Sequence, residues 1–247
     1  MKERILGVDV HCVTMESAVA MGLELLDTPG THRCYTPNPK LLSMAREDEE
    51  LRHILNGADL SLPDGVGVLL AARLTGKFLK ERVAGADFAL ALAKAAGERG
   101  KAVYLLGGAP GVAERAGEAL KKACPGLVLA GTADGYFADP GAAADRVRRT
   151  GAELVYVCLG CPKQERWIAR YGERTGAGLL AGLGGTLDVL AGDIKRAPKP
   201  VQRLGLEWLW RAACQPRRMR ELWRLPDFLA AAVRERNEGN GRKVDRP

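Results

Sequence analysis

The stretch VYLLGGAPGVAERA, residues 103–116, decides the fold class. Its first four residues are apolar and favour a strand. The glycine-rich turn after them leads into a helical spacing of apolar residues from Val112. A strand, a tight turn and a helix in this order form the repeating unit of an α/β sheet. Ligands of such sheets bind beyond the carboxyl ends of the strands, so a functional site is expected in the turns after the strands.

Strand and helix patterns alternate along most of the chain. Amphipathic helical segments separate the predicted strands, as after Thr14 and at Pro162. The predicted strands are residues 5–8, 33–36, 60–62, 103–106, 127–130, 154–159 and 179–183. We therefore predict an α/β fold with a Rossmann-like, mostly parallel sheet and helices on both faces. Residues 1–195 are expected to form this domain, and residues 196–247 a basic helical C-terminal appendage.

The positive charge of the chain is concentrated at its C-terminal end. The 247 residues carry a formal net charge of +7, and residues 196–247 alone hold 13 basic and 6 acidic side chains. Trp208, Trp210 and Trp223 lie in the same segment, among several leucines. Cations beside Trp and Leu are typical of a segment that lies in a membrane interface. The alternative is a helical pair that packs on the body, and no nucleic-acid motif accompanies the charge.

Cysteine usage and hydropathy predict a cytoplasmic protein. Six scattered cysteines in a chain of this length suit reduced thiols. Cys158 and Cys161 match a C-x-x-C pattern, which without a second pair is a weak signal for a redox or zinc site. The apolar run near the N-terminus is broken at Asp9, and no run of about 18 apolar residues occurs. We therefore expect neither a membrane-spanning segment nor a secretion signal.

Asp64, within LPDGVG at residues 62–67, follows a predicted strand and allows two interpretations. Asp is a common helix N-cap, so its carboxylate could cap a helix that begins at Val66. Alternatively, Gly65 and Gly67 keep side chains away, and the turn presents the carboxylate to a substrate. The residues of this turn alone do not separate the two interpretations.

Polar residues also follow the other predicted strands. Thr36 and Asn38 belong to a proline-stiffened turn, and Gln164 follows a later strand. The turn at residues 107–111 can offer backbone N–H groups to a phosphate at the start of a helix. We predict one shared polar pocket, because so many polar turns meet at one edge of the sheet.

Eight stretches, taken together, resemble the bacterial WecG/TagA/CpsF glycosyltransferases, which make early linkages of teichoic acids and other envelope polysaccharides. They run in family order: TPNP at 36–39, LPDGVG at 62–67, RVAGADF at 82–88, LLGGAPG at 105–111, GYF at 135–137, LGCPKQE at 159–165, GGTLDVLAG at 184–192 and RAPKPVQRLGLEWLWR at 196–211. The resemblance implies transfer of an N-acetylhexosamine, typically N-acetylmannosamine, from a UDP-sugar to polyprenyl-diphosphate-linked N-acetylglucosamine. The anomeric carbon is inverted in this reaction.

The resemblance also implies roles for individual residues. Asp64 matches the family's proposed base, which takes the proton of the acceptor hydroxyl. The sequence has no D-x-D pair, so we expect no metal and no cofactor, and a fixed cation in place of a metal. The residues with expected roles are Arg82, Gly107, Gly108 and Gly111 for the diphosphate, Thr36, Asn38 and Gln164 for the sugars, Tyr136 and Asp188 for the uridine, and Arg211 and Arg218 of the appendage for either substrate's diphosphate.

Three other functions remain open at this point. The chain could be a nucleotide-binding module on a lipid surface without turnover, a soluble α/β enzyme for another nucleotide, or a different envelope hexosyltransferase. The expected partners of the enzyme are a UDP-sugar, the lipid-linked acceptor and an anionic membrane surface, with no nucleic acid. We expect a peripheral location on the inner face of the cell membrane, and the sequence leaves open a homo-oligomer.

Overall fold

The computed structural model describes residues 1–198, 201, 209–210 and 225–244, with side chains up to Arg236. A six-stranded parallel sheet has the order β4-β3-β8-β7-β5-β6. A separate antiparallel hairpin precedes it. The strands are β1 (Lys2–Ile5), β2 (Val8–His11), β3 (His32–Tyr35), β4 (Leu60–Ser61), β5 (Ala102–Gly107), β6 (Val128–Ala133), β7 (Leu154–Cys158) and β8 (Leu179–Gly182).

Helices connect the strands and cover both faces of the sheet. They are α1 (Met15–Asp27), α2 (Pro39–Glu47), α3 (Glu49–Asn56), α4 (Val66–Leu74), α5 (Gly85–Glu98), α6 (Val112–Ala123), α7 (Pro140–Arg149), α8 (Lys163–Tyr171), α9 (Thr186–Leu190) and, after a gap in the described residues, α10 (Leu225–Val244). A 3₁₀ turn lies at Glu173–Thr175. The α/β prediction is confirmed.

Strand β5 shows why the apolar run at residues 103–106 was informative. Val103 and Leu105 belong to the core beneath α1, α5, α6 and α9. Tyr104 and Leu106 belong to the core on the opposite face, with α2, α3, α4, α7 and α8. Successive side chains of a strand point to opposite faces, so a strand covered on both faces needs apolar residues at every position.

The prediction of a strand at residues 5–8 is wrong. Leu6 and Gly7 adopt positive φ angles of 49° and 81° and turn the chain between β1 and β2. Two residues of positive φ are the signature of a tight hairpin, and the Gly makes such a turn accessible. The apolar run through this region is therefore split between two strands that bury Ile5 and Val8 in the same core.

The strand order brings the polar turns to one edge. All six strands of the main sheet are parallel, so the segments that follow them emerge at the same edge. The last strand, β8, lies between β3 and β7 in the middle of the sheet. The turns after β3, β8 and β7 are consequently neighbours. This strand order differs from the 3-2-1-4-5-6 order of the Rossmann fold.

Helix α10 packs on the body of the protein. Phe228 is 2% exposed and joins the core that contains Val68 and Ala72 of α4. Glu235 accepts a hydrogen bond from Leu6 N at 2.8 Å and pairs with Lys77 Nζ, also at 2.8 Å. The second half of the predicted appendage therefore contacts α4 and the hairpin. Within the described part of the chain, no helix is long and apolar enough to cross a membrane.

Candidate active site

Asp64 lies where the turns after β3 and β4 meet. Its backbone N–H donates to the Pro37 carbonyl at 3.0 Å, and the Val83 N–H donates to the Pro63 carbonyl at 2.9 Å. Helix α4 has Gly65 as its N-cap and no side-chain cap hydrogen bond. The N-cap of α4 is Gly65, so the prediction of Asp64 as the N-cap residue is wrong.

The Asp64 carboxylate reaches the start of helix α5. A Cβ atom placed on Gly85, the first residue of α5, would lie 3.8 Å from Asp64 Oδ2 and 3.6 Å from Thr186 Oγ1. Ala84 caps α5 without a side-chain hydrogen bond. The N-terminus of a helix carries partial positive charge, which favours an ionised carboxylate nearby. Asp64 is partly exposed, so a substrate hydroxyl can approach it.

Thr36 and Gln164 converge on the end of β8. The Thr36 hydroxyl donates to the Gly182 carbonyl at 2.8 Å. Gln164 is 2% exposed, and its Oε1 accepts the Gly184 N–H at 2.9 Å. Asn38 is the N-cap of α2, where its Oδ1 accepts the Leu41 N–H at 3.0 Å. Each of these polar side chains follows β3 or β7 and holds a backbone group at the end of β8, in the turn after it or in the first turn of α2.

Glu165 is the buried residue that the sequence interpretation missed. Its side chain is 0% exposed, and its Oε1 accepts a hydrogen bond of 2.8 Å from Gln164 Nε2. Burial raises the pKa of Glu165 to about 7, against the smaller lowering effect of the Gln164 hydrogen bond. The sequence signal was a Glu beside the buried pair Trp167 and Ile168 on a short helix. A Glu in the first helical turn is so common on surfaces that this signal is weak.

Arg82 lies in the segment before α5. It precedes Val83, whose backbone is held by the Asp64 turn, and its side chain is partly exposed. Arg196, at the start of the predicted appendage, donates to both carboxylate oxygens of Asp87, and the Nη2–Oδ2 distance is 2.9 Å. Asp87 lies in the first turn of α5. Both arginines are thus carried by segments that adjoin the start of this helix.

The glycine turn after β5 lies toward the other end of the edge. A Cβ atom on Gly107 would lie 2.2 Å from the Cys158 carbonyl oxygen, so only glycine fits between β5 and β7. Gly108 and Gly111 have positive φ angles of 72° and 82°. Gly111 is the N-cap of α6, and the first N–H of the helix, that of Val112, donates to the Ala109 carbonyl at 3.0 Å. The N–H groups that follow belong to the first turn, where a helix can bind a phosphate.

The two residues predicted for the uridine lie on the same side as this glycine turn. Asp188 is on α9 and close to Cys158, because its charge helps to raise the pKa of that thiol, although burial is the main cause and the backbone hydrogen bond from Leu187 lowers the pKa by more than Asp188 raises it. Tyr136 follows β6 and is 77% exposed, with its backbone N–H held by Asp134 Oδ1 at 2.8 Å. Arg211 and Arg218 lie outside the described residues.

The two cysteines of the C-x-x-C pattern do not face each other. Cys158 is buried in the core that contains α5 and α9, whereas Cys161 packs against the opposite core. Neither forms a disulfide with another described cysteine. Among the described residues, no three His, Cys, Asp or Glu side chains are grouped so that they could hold a metal ion.

The sheet edge therefore offers a carboxylate beside a helix N-terminus, a neighbouring arginine and a glycine turn that opens a second helix. Residues 3–242 match the model of the glycosyl transferase WecG/TagA/CpsF family. The chain belongs to this family. The family match covers the sheet and α10 together, and it agrees with the eight stretches that suggested the resemblance.

Two relatives of this chain have the same name. The N-acetylglucosaminyldiphosphoundecaprenol N-acetyl-beta-D-mannosaminyltransferase of Bacillus spizizenii strain W23 is 35% identical over 199 residues, which are 81% of this chain and 77% of that protein. The enzyme of that name from Bacillus subtilis strain 168 is 32% identical over 200 residues, 81% of this chain and 78% of that protein. As a WecG/TagA/CpsF member, the chain is a glycosyltransferase of bacterial envelope synthesis.

Proposed function

We propose that this glycosyltransferase moves N-acetylmannosamine from a UDP-sugar to polyprenyl-diphosphate-linked N-acetylglucosamine, with inversion at the anomeric carbon. The names of both relatives support the acceptor and the transferred sugar. One observation supports the chemistry most directly, namely the Asp64 carboxylate beside Gly85 at the start of α5. The Asp64 side chain is partly exposed, so a substrate hydroxyl can approach it. We therefore assign proton abstraction to Asp64.

In the proposed reaction, the acceptor hydroxyl attacks the anomeric carbon from the face opposite UDP. Asp64 accepts the hydroxyl proton as the new C–O bond forms, while the bond from the anomeric carbon to the UDP oxygen breaks. The electron pair of that bond leaves with UDP. The start of α5, beside the Asp64 carboxylate, carries the partial positive charge of a helix N-terminus, which favours a negative charge there.

The departing diphosphate gains negative charge and needs fixed positive partners. Arg82 supplies a cation next to Val83, whose N–H donates to the Pro63 carbonyl beside Asp64, and the first turn of α6 supplies N–H donors after Gly111. We propose that these groups replace the divalent ion that other nucleotide-sugar enzymes use. Asp188 and Tyr136 lie on the α6 side of the edge, so the uridine is assigned to that side.

We further propose that residues 196–247 hold the enzyme on the inner face of the membrane. The acceptor keeps its apolar chain in the bilayer, so the pocket must come to the membrane surface. Residues 196–247 carry 13 basic and 6 acidic side chains together with three tryptophans. Each cation near an anionic leaflet contributes on the order of 1 kcal/mol. Arg211 and Arg218 are the residues that we assign to a substrate diphosphate.

A UDP-release assay tests the proposal. The purified chain is supplied with UDP-N-acetylmannosamine, UDP-N-acetylglucosamine or UDP-glucose, each with and without a short-chain lipid-diphosphate N-acetylglucosamine. We expect UDP release only with the first donor and only when the acceptor is present, and an inverted linkage in the product. UDP binding without release under all conditions would instead identify a nucleotide-binding module. Turnover of another donor would identify a different hexosyltransferase.

A further inference from the structure

Glu165 has no part in the mechanism described above, yet it lies beside the site. Its Oε1 accepts the hydrogen bond from Gln164 Nε2. Its Oε2 is buried and has no hydrogen-bond partner among the described residues. A buried polar atom without a partner lowers the free energy of unfolding. The carboxyl group is therefore not accounted for by a contribution to stability.

The Gln164 amide links Glu165 to the site. Gln164 Oε1 accepts the Gly184 N–H, and Gln164 Nε2 donates to Glu165. An amide has one donor end and one acceptor end, so only one of its two orientations makes both hydrogen bonds. An acceptor at Glu165 therefore selects the orientation in which the amide oxygen faces Gly184.

Little room exists for the Gln164 amide to move. A Cβ atom on Gly182 would lie 3.2 Å from Gln164 Nε2 and 3.4 Å from a ring carbon of Tyr35, so the amide packs closely on the end of β8. Tyr35 Oη also lies 3.5 Å from the Glu165 carbonyl. The Gln164 amide is thus packed against the end of β8. Its main remaining freedom is rotation about the last side-chain bond (χ3).

The Gly184 turn in turn carries a group that lies near the proposed base. Gly184 and Gly185 connect β8 to α9, and Thr186 begins α9 with its hydroxyl donating to the Leu183 carbonyl at 2.7 Å. Thr186 Oγ1 and Asp64 Oδ2 both lie within 4 Å of the Cβ position of Gly85. A displacement of this turn therefore changes the surroundings of the carboxylate.

We propose that Glu165 is a positioning residue that acts through Gln164. It fixes the amide orientation that anchors the Gly184–Gly185 turn and so keeps Thr186 in place beside Asp64. This inference rests on the glycosyl transfer proposed above. Glu165 itself is fully buried, so it acts through Gln164 rather than on a substrate directly.

Two substitutions at this position test the proposal. Glu165→Leu removes the acceptor, whereas Glu165→Gln keeps an oxygen that can accept from Gln164. The first readout is hydrogen exchange at the Gly184 amide, monitored by NMR without substrate. The second is the steady-state kinetics of UDP release, with kcat and KM determined separately. Arg166→Gln, on the exposed side of α8, is the matched control.

We expect the Gly184 amide to exchange at least about tenfold faster in Glu165→Leu, because its acceptor is no longer held. We expect kcat to fall roughly 10- to 100-fold in that variant, the size of effect that small displacements at a reacting centre produce. KM for the UDP-sugar should stay within about threefold. Glu165→Gln should restore most of both quantities, and Arg166→Gln should match the native chain.

The two proposals fail in different ways. Native exchange and native kcat in Glu165→Leu would overturn the positioning role, and so would equal losses in the Leu and Gln variants. If the native chain releases no UDP, the proposed function fails, while the exchange of the Gly184 amide still tests the contact through Gln164. If Glu165→Leu does not fold, Glu165→Met provides the same test with a side chain closer in length.

Discussion

The backbone N–H of Asp64 donates to the carbonyl of Pro37 at 3.0 Å. This hydrogen bond joins the turn after β4 to the turn after β3, the strand beside it in the sheet. It fixes the backbone of Asp64. The carboxylate oxygen Oδ2 lies 3.8 Å from the Cβ position of Gly85, at the start of α5. The proposed base is therefore placed by main-chain contacts between two βα turns, and substitutions of its side chain should affect chemistry more than folding.

Asp64→Asn should lower kcat by roughly 10²- to 10⁴-fold, the range for loss of a general base. The amide keeps the shape of the carboxylate, and the backbone hydrogen bond to Pro37 does not depend on the side chain. We therefore expect UDP affinity and the thermal midpoint to stay near native values. Rates are measured by UDP release and affinity by calorimetry. Asp59→Asn, at the start of β4, is the control, and near-native turnover of Asp64→Asn would eliminate it as the base.

Arg82→Ala should abolish transfer, and chelation should not. If Arg82 stabilises the charge on departing UDP, removing it costs several hundredfold or more in kcat, as loss of one fixed charge-stabilising donor does (about 10²- to 10³-fold). Incubation with EDTA should leave the native rate unchanged. The control is Arg73→Ala, on the exposed face of α4. Loss of activity with EDTA and its return with magnesium would contradict the assignment.

His11 should make the protein less stable as the pH falls below about 6.5. Burial, and secondarily the charge of Lys2, lower the pKa of His11 to about 4. Its Nδ1 accepts the Ser61 N–H at 3.0 Å, and protonation there would break this hydrogen bond. The unfolded chain takes up a proton near pH 6.5 and the folded chain only near pH 4. The stabilising contribution is therefore complete above the unfolded pKa and is lost as the pH falls toward 4.

Urea unfolding of the native chain and of His11→Gln at pH 5 and pH 7 checks this dependence. We expect the loss of unfolding free energy between pH 7 and pH 5 to be smaller in the variant by on the order of 1 kcal/mol. Comparing variant with native cancels the contributions of other groups, such as Glu165. His53→Gln, at an exposed position of α3, should retain the native dependence. Equal pH dependence in all three chains would contradict the prediction.

Gly107→Ala should destabilise the sheet by more than about 3 kcal/mol. The added methyl group would lie 2.2 Å from the Cys158 carbonyl oxygen and would push β5 away from β7. Gly151→Ala is the matched control, because Gly151 has a φ of 67° but nothing within 4 Å of its Cβ position. We expect it to cost only about 1–2 kcal/mol from backbone strain. Similar unfolding midpoints for the two variants would show that the close contact is relieved by a small shift.

Replacing Arg211 and Arg218 together by Gln should weaken binding to anionic vesicles and lower transfer to the lipid acceptor. Substitution is preferable to truncation near Ala197, because removal of α10 would expose the α4 surface that Phe228 covers. Vesicle binding of the native chain should fall as salt rises, since exposed charges are screened over about 8 Å at physiological ionic strength. Co-sedimentation with phosphatidylglycerol vesicles measures both effects. Unchanged sedimentation and turnover would indicate that these arginines contact neither lipid nor substrate.

The sequence was sufficient for the βα units because their signals are local. Leu154 to Cys158 and Leu179 to Gly182 are apolar at every position or nearly so, as strands covered on both faces must be. The strand prediction for residues 5–8 is wrong because the apolar run ILGV contains a turn, which shows only in the positive φ angles of Leu6 and Gly7. Glu165 was missed because local pattern does not distinguish a buried carboxyl from a surface one.

The sequence by itself determined the α/β class, the family and the turns that carry the polar residues. Only the tertiary structure decided that β8 lies between β3 and β7, and thereby that the Thr36 hydroxyl meets the Gly182 carbonyl across 146 residues of sequence. It also decided that Gly65, not Asp64, is the N-cap of α4, and that Asp64 Oδ2 and Thr186 Oγ1 both lie within 4 Å of the Cβ position of Gly85. The physical reason is that strand order depends on how helices cover both faces of the whole sheet, a property that no local pattern of residues contains.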